Sequence, residues 1–114
     1  KEGEDKINNT LRRLREEKPA SICGIKVVEY SDYQEGKRYN YRKEEESEIT
    51  LPASNVLQYR LEDDSILTIR PSGTEPKLKI YFMVKGTTAE EAKEKITELR
   101  GRFLGEFNDL LEEV

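Results

Sequence analysis

The sequence predicts an α+β domain in which a four-stranded, mainly antiparallel sheet carries two amphipathic helices on one face. Apolar residues recur at helical spacing near both ends of the chain and at a spacing of two between them. The last three alternating runs are joined by short turns, which leave no room for parallel crossovers. Two amphipathic helices can then cover one face of the sheet and leave the other to solvent.

From Glu4 to Glu17, Ile7, Leu11 and Leu14 form a helical stripe among charges, and Pro19 marks its end. The first strand follows from Gly24 to Tyr30, where β-branched residues are dense and Ile25 and Val27 alternate. Residues 31–54 carry turn residues, a tyrosine pair and the acidic run KEEESE, with no sustained period. They read as a long excursion that can contain a short hairpin, since structureless loops beyond about 12–15 residues are uncommon in small domains. Leu57, Tyr59 and Leu61 then alternate with polar neighbours, and Glu62 to Ser65 turns the chain into ILTIR. The clearest strand places Leu78, Ile80, Phe82 and Val84 on one face, with Lys77, Lys79, Tyr81 and Lys85 on the other. Thr88, with Glu91 three residues on, has the pattern of a capping box. The stripe Ala89, Ala92, Ile96, Leu99, Phe103, Phe107, Leu110 and Val114 continues from it despite Gly101 and Gly105.

With 114 residues there is room for one domain, spanning 1–114, and one modest core. Charged residues make up 39% and apolar residues 34%, so much of the chain must be solvated surface. A net charge of -4 argues against broad binding to nucleic acid or anionic membrane, and any anion site must be local. Histidine is absent and Cys23 is the only cysteine. Internal disulfides, Cys/His zinc sites and Ser-His or Cys-His catalytic pairs are therefore excluded. Cys23 reads as a small buried residue. No apolar run is long enough to cross a membrane as a helix and the first residues lack a signal-peptide core, so a cytoplasmic location is expected. A start at Lys1 rather than methionine suggests a processed protein or a piece of a longer one.

The chemistry concentrates in RPSGTEPKLKIY, from Arg70 to Tyr81. Arg70 ends one strand and Lys77 begins the next, so Pro71 to Pro76 form a hairpin tip stiffened by two prolines. A guanidinium offers phosphate a planar fork, Ser72 and Thr74 offer hydroxyls, and Gly73 lets backbone N–H groups approach an anion. The same residues are also ordinary turn chemistry. The spacing is not that of a P-loop, so nucleotide hydrolysis is not supported. Asp63 and Asp64 read as turn residues rather than a metal site, because Mg²⁺ needs several converging oxygens.

RPSGTEPKLKIY resembles the phosphate-binding loop in the C-terminal domain of the α-D-phosphohexomutases, the phosphoglucomutase and phosphomannomutase enzymes. LPASNVLQYRLEDDSILTIRPSGTEPK is more similar to the phosphoglucomutase branch, and GIKVVEYSDYQEG resembles the family's first strand with its Asp-Tyr loop. The resemblance implies a TATA-binding-protein-like fold and a phosphate site formed by Arg70, Ser72, Gly73, Thr74 and, more weakly, Lys77. It also implies a parent enzyme that interconverts 1-phospho and 6-phospho sugars through a phosphoserine, a Mg²⁺ ion and a bisphosphate intermediate. The phosphoserine and metal loops belong to other domains. No catalytic residue, cofactor or metal is therefore expected in this chain, whose partners would be the sugar phosphate and the rest of the parent, not nucleic acid or membrane. The alternatives are a phosphomannomutase or phosphopentomutase domain, or a small α+β module that binds nucleic acid or protein through its open sheet face. Tyr59 and Tyr81 discriminate: both exposed would favour a stacking platform, whereas Tyr59 in the core would weaken it.

Overall fold

The computed structural model describes residues 2–72, 78–85 and 88–107. Helix α1 spans Glu2–Glu17 and buries Ile7, Thr10, Leu11 and Leu14, one face of consecutive turns. It ends where Lys18 takes φ 45 and donates its N–H to the Leu14 carbonyl, a left-handed cap followed by Pro19.

Strand β1, Ser21–Ile22, and strand β2, Ile25–Asp32, form a hairpin closed by Cys23 and Gly24 alone, with Ile22 opposite Ile25. Both turn residues have positive φ, 57 and 74, the geometry whose twist suits a two-residue hairpin. Cys23 is buried, and its Sγ lies 3.3 Å from the Leu99 carbonyl, while Arg102 donates to the Cys23 carbonyl at 3.2 Å. The turn is thus a seat for the second helix.

The expected count of four strands is corrected to seven: β3 (Lys37–Asn40), β4 (Glu45–Glu48), β5 (Leu57–Leu61), β6 (Ile66–Pro71) and β7 (Leu78–Met83) complete a sheet in the order β4-β3-β2-β5-β6-β7, with β1 paired to β2. All pairings are antiparallel. Apart from β1, the added strands are β3 and β4, which form the short hairpin allowed for in the excursion but not placed there. Its residues are exposed or half-buried, so it shows no apolar alternation. Other contacts hold it: the Asn40 side chain accepts the Arg42 and Lys43 N–H groups at 3.0 Å, and the Tyr39 and Tyr41 rings meet edge-on at 4.8 Å.

Strands β5, Leu57–Leu61, β6, Ile66–Pro71, and β7, Leu78–Met83, follow the expected alternation. Tyr30, Leu57, Tyr59, Leu61, Leu67, Ile69, Leu78 and Ile80 share one core with Ile7, Leu11 and Leu14 of α1 and with Leu99 and Phe103. Asp63 and Asp64 make the β5–β6 turn, as expected: Asp63 accepts the Ser65 N–H at 3.0 Å, and Asp64 has φ 67.

Helix α2 spans Ala89–Phe107, and the Thr88 hydroxyl accepts the Glu91 N–H at 3.1 Å, which confirms the cap. Leu99 and Phe103 carry its packing, with Phe103 edge-on to Phe82 at 6.1 Å, and Lys95 reaches Asp63 at 2.8 Å. Leu110 and Val114 of the expected stripe lie outside the described residues. A Cβ at Gly101 or Gly105 would have no atom within 4 Å. Gly101→Ala is therefore expected to stabilise the domain by about 0.5–1 kcal/mol, read as a higher denaturant midpoint at unchanged slope. A lowered midpoint would show that the site is not open.

Candidate functional site

The last pair of the β6–β7 ladder is Pro71 opposite Leu78, so the hairpin tip is residues 72–77. Of the five expected phosphate ligands, Arg70 and Ser72 are described; Gly73, Thr74 and Lys77 lie outside the described residues. Arg70 follows the buried Ile69, so strand alternation turns it to the open face of the sheet, away from the helices. Ser72 is half-buried at the start of the tip.

Register adds two residues that the sequence reading left out of the site. Lys79 is directly opposite Arg70, and Tyr81, its diagonal neighbour, is on the same face. Arg70 Nη2 donates to the Tyr81 hydroxyl at 3.0 Å, and its guanidinium carbon is 5.5 Å from the ring centroid. The hydrogen bond from Arg70, joined by the positive charges of Arg70 and Lys79, holds the Tyr81 phenol below the ordinary tyrosine range. The signal was legible in part, because alternation already put Lys79 and Tyr81 on the face opposite Ile80. The contact itself depends on how β6 and β7 pair.

Arg15, Arg38, Arg60 and Arg102 each pair with a carboxylate. Among the described residues Arg70 pairs with none and meets only a neutral phenol.

The face beyond Arg70 is polar and joined by side-chain hydrogen bonds. Arg38 donates to Ser31 Oγ at 2.9 Å, Tyr33 bonds Gln58 at 3.2 Å, and Gln58 Nε2 donates to Thr68 Oγ1 at 3.2 Å. Thr68 is opposite Tyr81, so this row runs across the sheet to the Arg70 neighbourhood.

Asp32, Leu57 and Ile69 are paired in register, which brings the end of β2 and the start of β5 to the end of the sheet that carries the hairpin tip. There the buried Asp32 accepts Arg15 Nε at 3.0 Å and the N–H groups of Gln34 and Glu35 at 3.0 and 3.3 Å. Arg15 Nη2 also donates to Asn55 at 2.7 Å. One arginine on α1 thus ties down both segments beside the tip.

A cavity of about 450 Å³, lined by Arg15, Asp32, Tyr30, Tyr39 and Tyr41 among others, opens on the sheet face opposite to Arg70. It contains none of the expected phosphate ligands.

Tyr59 is fully buried and Tyr30 nearly so, and burial pushes both phenols up; Tyr81 is 47% exposed. A stacking platform built on Tyr59 and Tyr81 is thereby weakened. Among the described residues no group of His, Cys, Asp and Glu could hold a metal, and no helix is long and apolar enough to cross a membrane. Asp63 is taken by Lys95, and Asp64 by Arg60 and Lys85, so these carboxylates do not fit the Mg²⁺ of the implied parent.

Residues 11–102 match the family model described as phosphoglucomutase/phosphomannomutase, C-terminal domain. A phosphoglucomutase of Staphylococcus epidermidis is 35% identical over 97 residues, which is 85% of this chain and 18% of that protein. One of Staphylococcus aureus is 37% identical over 98 residues, 86% of this chain and 18% of that protein. The chain thus spans under a fifth of the length of the curated relatives that it matches. No solved structure matches it. With a family match that runs from α1 through the Arg70 hairpin into α2, this chain belongs to the phosphoglucomutase/phosphomannomutase C-terminal domain family.

Proposed function

We propose that this domain grips the non-reacting phosphate of a sugar phosphate for a cytoplasmic phosphohexomutase that interconverts glucose 1-phosphate and glucose 6-phosphate through a phosphoserine and a bisphosphate intermediate. The observation that carries the reading is Arg70, an exposed guanidinium on the open sheet face at the mouth of the hairpin, held there by the Tyr81 hydroxyl. Ser72, Gly73 and Thr74 supply hydroxyls and backbone N–H groups in this reading, and Lys77 a further positive charge. The names of the Staphylococcus relatives favour glucose phosphates over the mannose or pentose alternatives.

The role assigned to these residues is positional. Phosphoryl transfer depends on alignment and charge stabilisation, and an anchor on the distant phosphate holds the sugar while the near one reacts. A cradle that ignores the sugar suits a substrate presented in two orientations. The parent's Mg²⁺ would supply charge stabilisation at the reacting phosphate, held by residues outside this chain. The other domains of the parent would close over the substrate and exclude water. Within the sheet, β2, β5, β6 and β7 with the two helices form the TATA-binding-protein-like unit of this reading, and the β3–β4 hairpin is an addition to it.

Inorganic phosphate titrated into the isotope-labelled domain is expected to shift the Ser72, Gly73 and Thr74 amides and the Arg70 side-chain signal first. Shifts scattered over the surface, with these unmoved, would remove the assignment. Weak affinity is expected, because one anion leaves most of the association cost unmet.

A further inference from the structure

We propose that Tyr81 is a positioning residue for Arg70, holding its guanidinium on the open sheet face so that the cation is ordered before phosphate arrives. The inference rests on the phosphate-binding reading above. An arginine has several rotatable bonds, and one free in solvent must be immobilised when ligand binds. Here a hydrogen bond of 3.0 Å and a ring 5.5 Å from the guanidinium carbon already restrain it.

The chemistry of the partner matters. A carboxylate in this place would neutralise Arg70 and compete with phosphate for the same donors. A phenol fixes the position without cancelling the charge. A guanidinium has five N–H donors, and a single hydroxyl occupies one of them, so this restraint does not use up the fork.

Tyr81 is itself well anchored. It sits between Ile80, buried in the core, and Phe82, which packs on Phe103, in a strand paired with β6 along its whole length. Tyr81 is 47% exposed, and its bond to Arg70 lies at the surface.

The test is steady-state kinetics of the full-length protein with glucose 1-phosphate, using Tyr81→Phe, Arg70→Ala and the double variant. Tyr81→Phe keeps the ring and removes only the hydroxyl. KM is expected to rise about two- to tenfold, the range for the loss of one hydrogen bond, with kcat much less affected. In the Arg70→Ala background the same change should have no further effect, which a merely structural role would not produce. An equal rise in both backgrounds would overturn the inference, because Tyr81 would then act independently of Arg70. An unchanged KM for Tyr81→Phe beside a raised KM for Arg70→Ala would overturn it while leaving the phosphate reading intact. Unchanged kinetics for Arg70→Ala would overturn that reading and the inference with it.

Discussion

Arg70→Ala in the full-length protein is expected to lower kcat/KM for a sugar phosphate by roughly 1.5–3 kcal/mol, the range for a charge-assisted hydrogen bond, or about 10- to 150-fold. The effect is large because no nearby described cation reproduces the planar fork. Lys79 stands opposite on the partner strand, yet an ammonium is a point charge and cannot make the same two-pronged contact. Arg70→Lys should therefore recover only part of the loss. In the proposed role the anchored phosphate is not the one that reacts, so most of the loss is expected in KM. Steady-state kinetics decide the matter, and wild-type values for Arg70→Ala would remove the residue from the site.

Arg15→Leu is expected to cost about 3–5 kcal/mol of folding free energy, a large part of the ~5–15 kcal/mol available to a domain of this kind. The Asp32 side chain is only 4% exposed, and Arg15 is its single cationic partner among the described residues. Removing the guanidinium leaves a buried carboxylate held only by the Gln34 and Glu35 N–H groups, and it also releases Asn55. Adding Asp32→Leu should recover stability, because two apolar groups cost less than one unpaired charge. Full recovery is not expected, since the 33–36 turn would lose its acceptor. Denaturant unfolding of the three variants measures both effects. A single-variant loss below about 1 kcal/mol would mean that the pair behaves as an exposed ion pair.

How much of this was legible depended on whether a residue faced the core. Leu57, Tyr59 and Leu61, and then Leu78 and Ile80, announce their strands because burial on one face forces a period of two. Ile7, Leu11 and Leu14 announce α1 in the same way. Lys37–Asn40 and Glu45–Glu48 have no buried face, so nothing in their order distinguishes a ladder from a charged loop. Strand β1 is two residues long, too short to show any period.

The site divides along the same line. The Arg70 hairpin was visible because glycine and proline mark turns through local backbone preference, and the phosphate role proposed for it came from the resemblance of the loop. Tyr81 was placed on the correct face but not at the guanidinium, and Arg15 was read only as one more charge of α1.

The sequence alone determined the α+β class, both helices, the four alternating strands and the hairpin that carries Arg70, because each follows from interactions within a few residues. Tertiary structure alone decided that the sheet has seven strands, that Arg70 meets Tyr81, and that Arg15 joins Asp32 to Asn55. Those contacts join residues 11 to 40 positions apart, and only strand register and helix docking bring such residues within reach of a hydrogen bond.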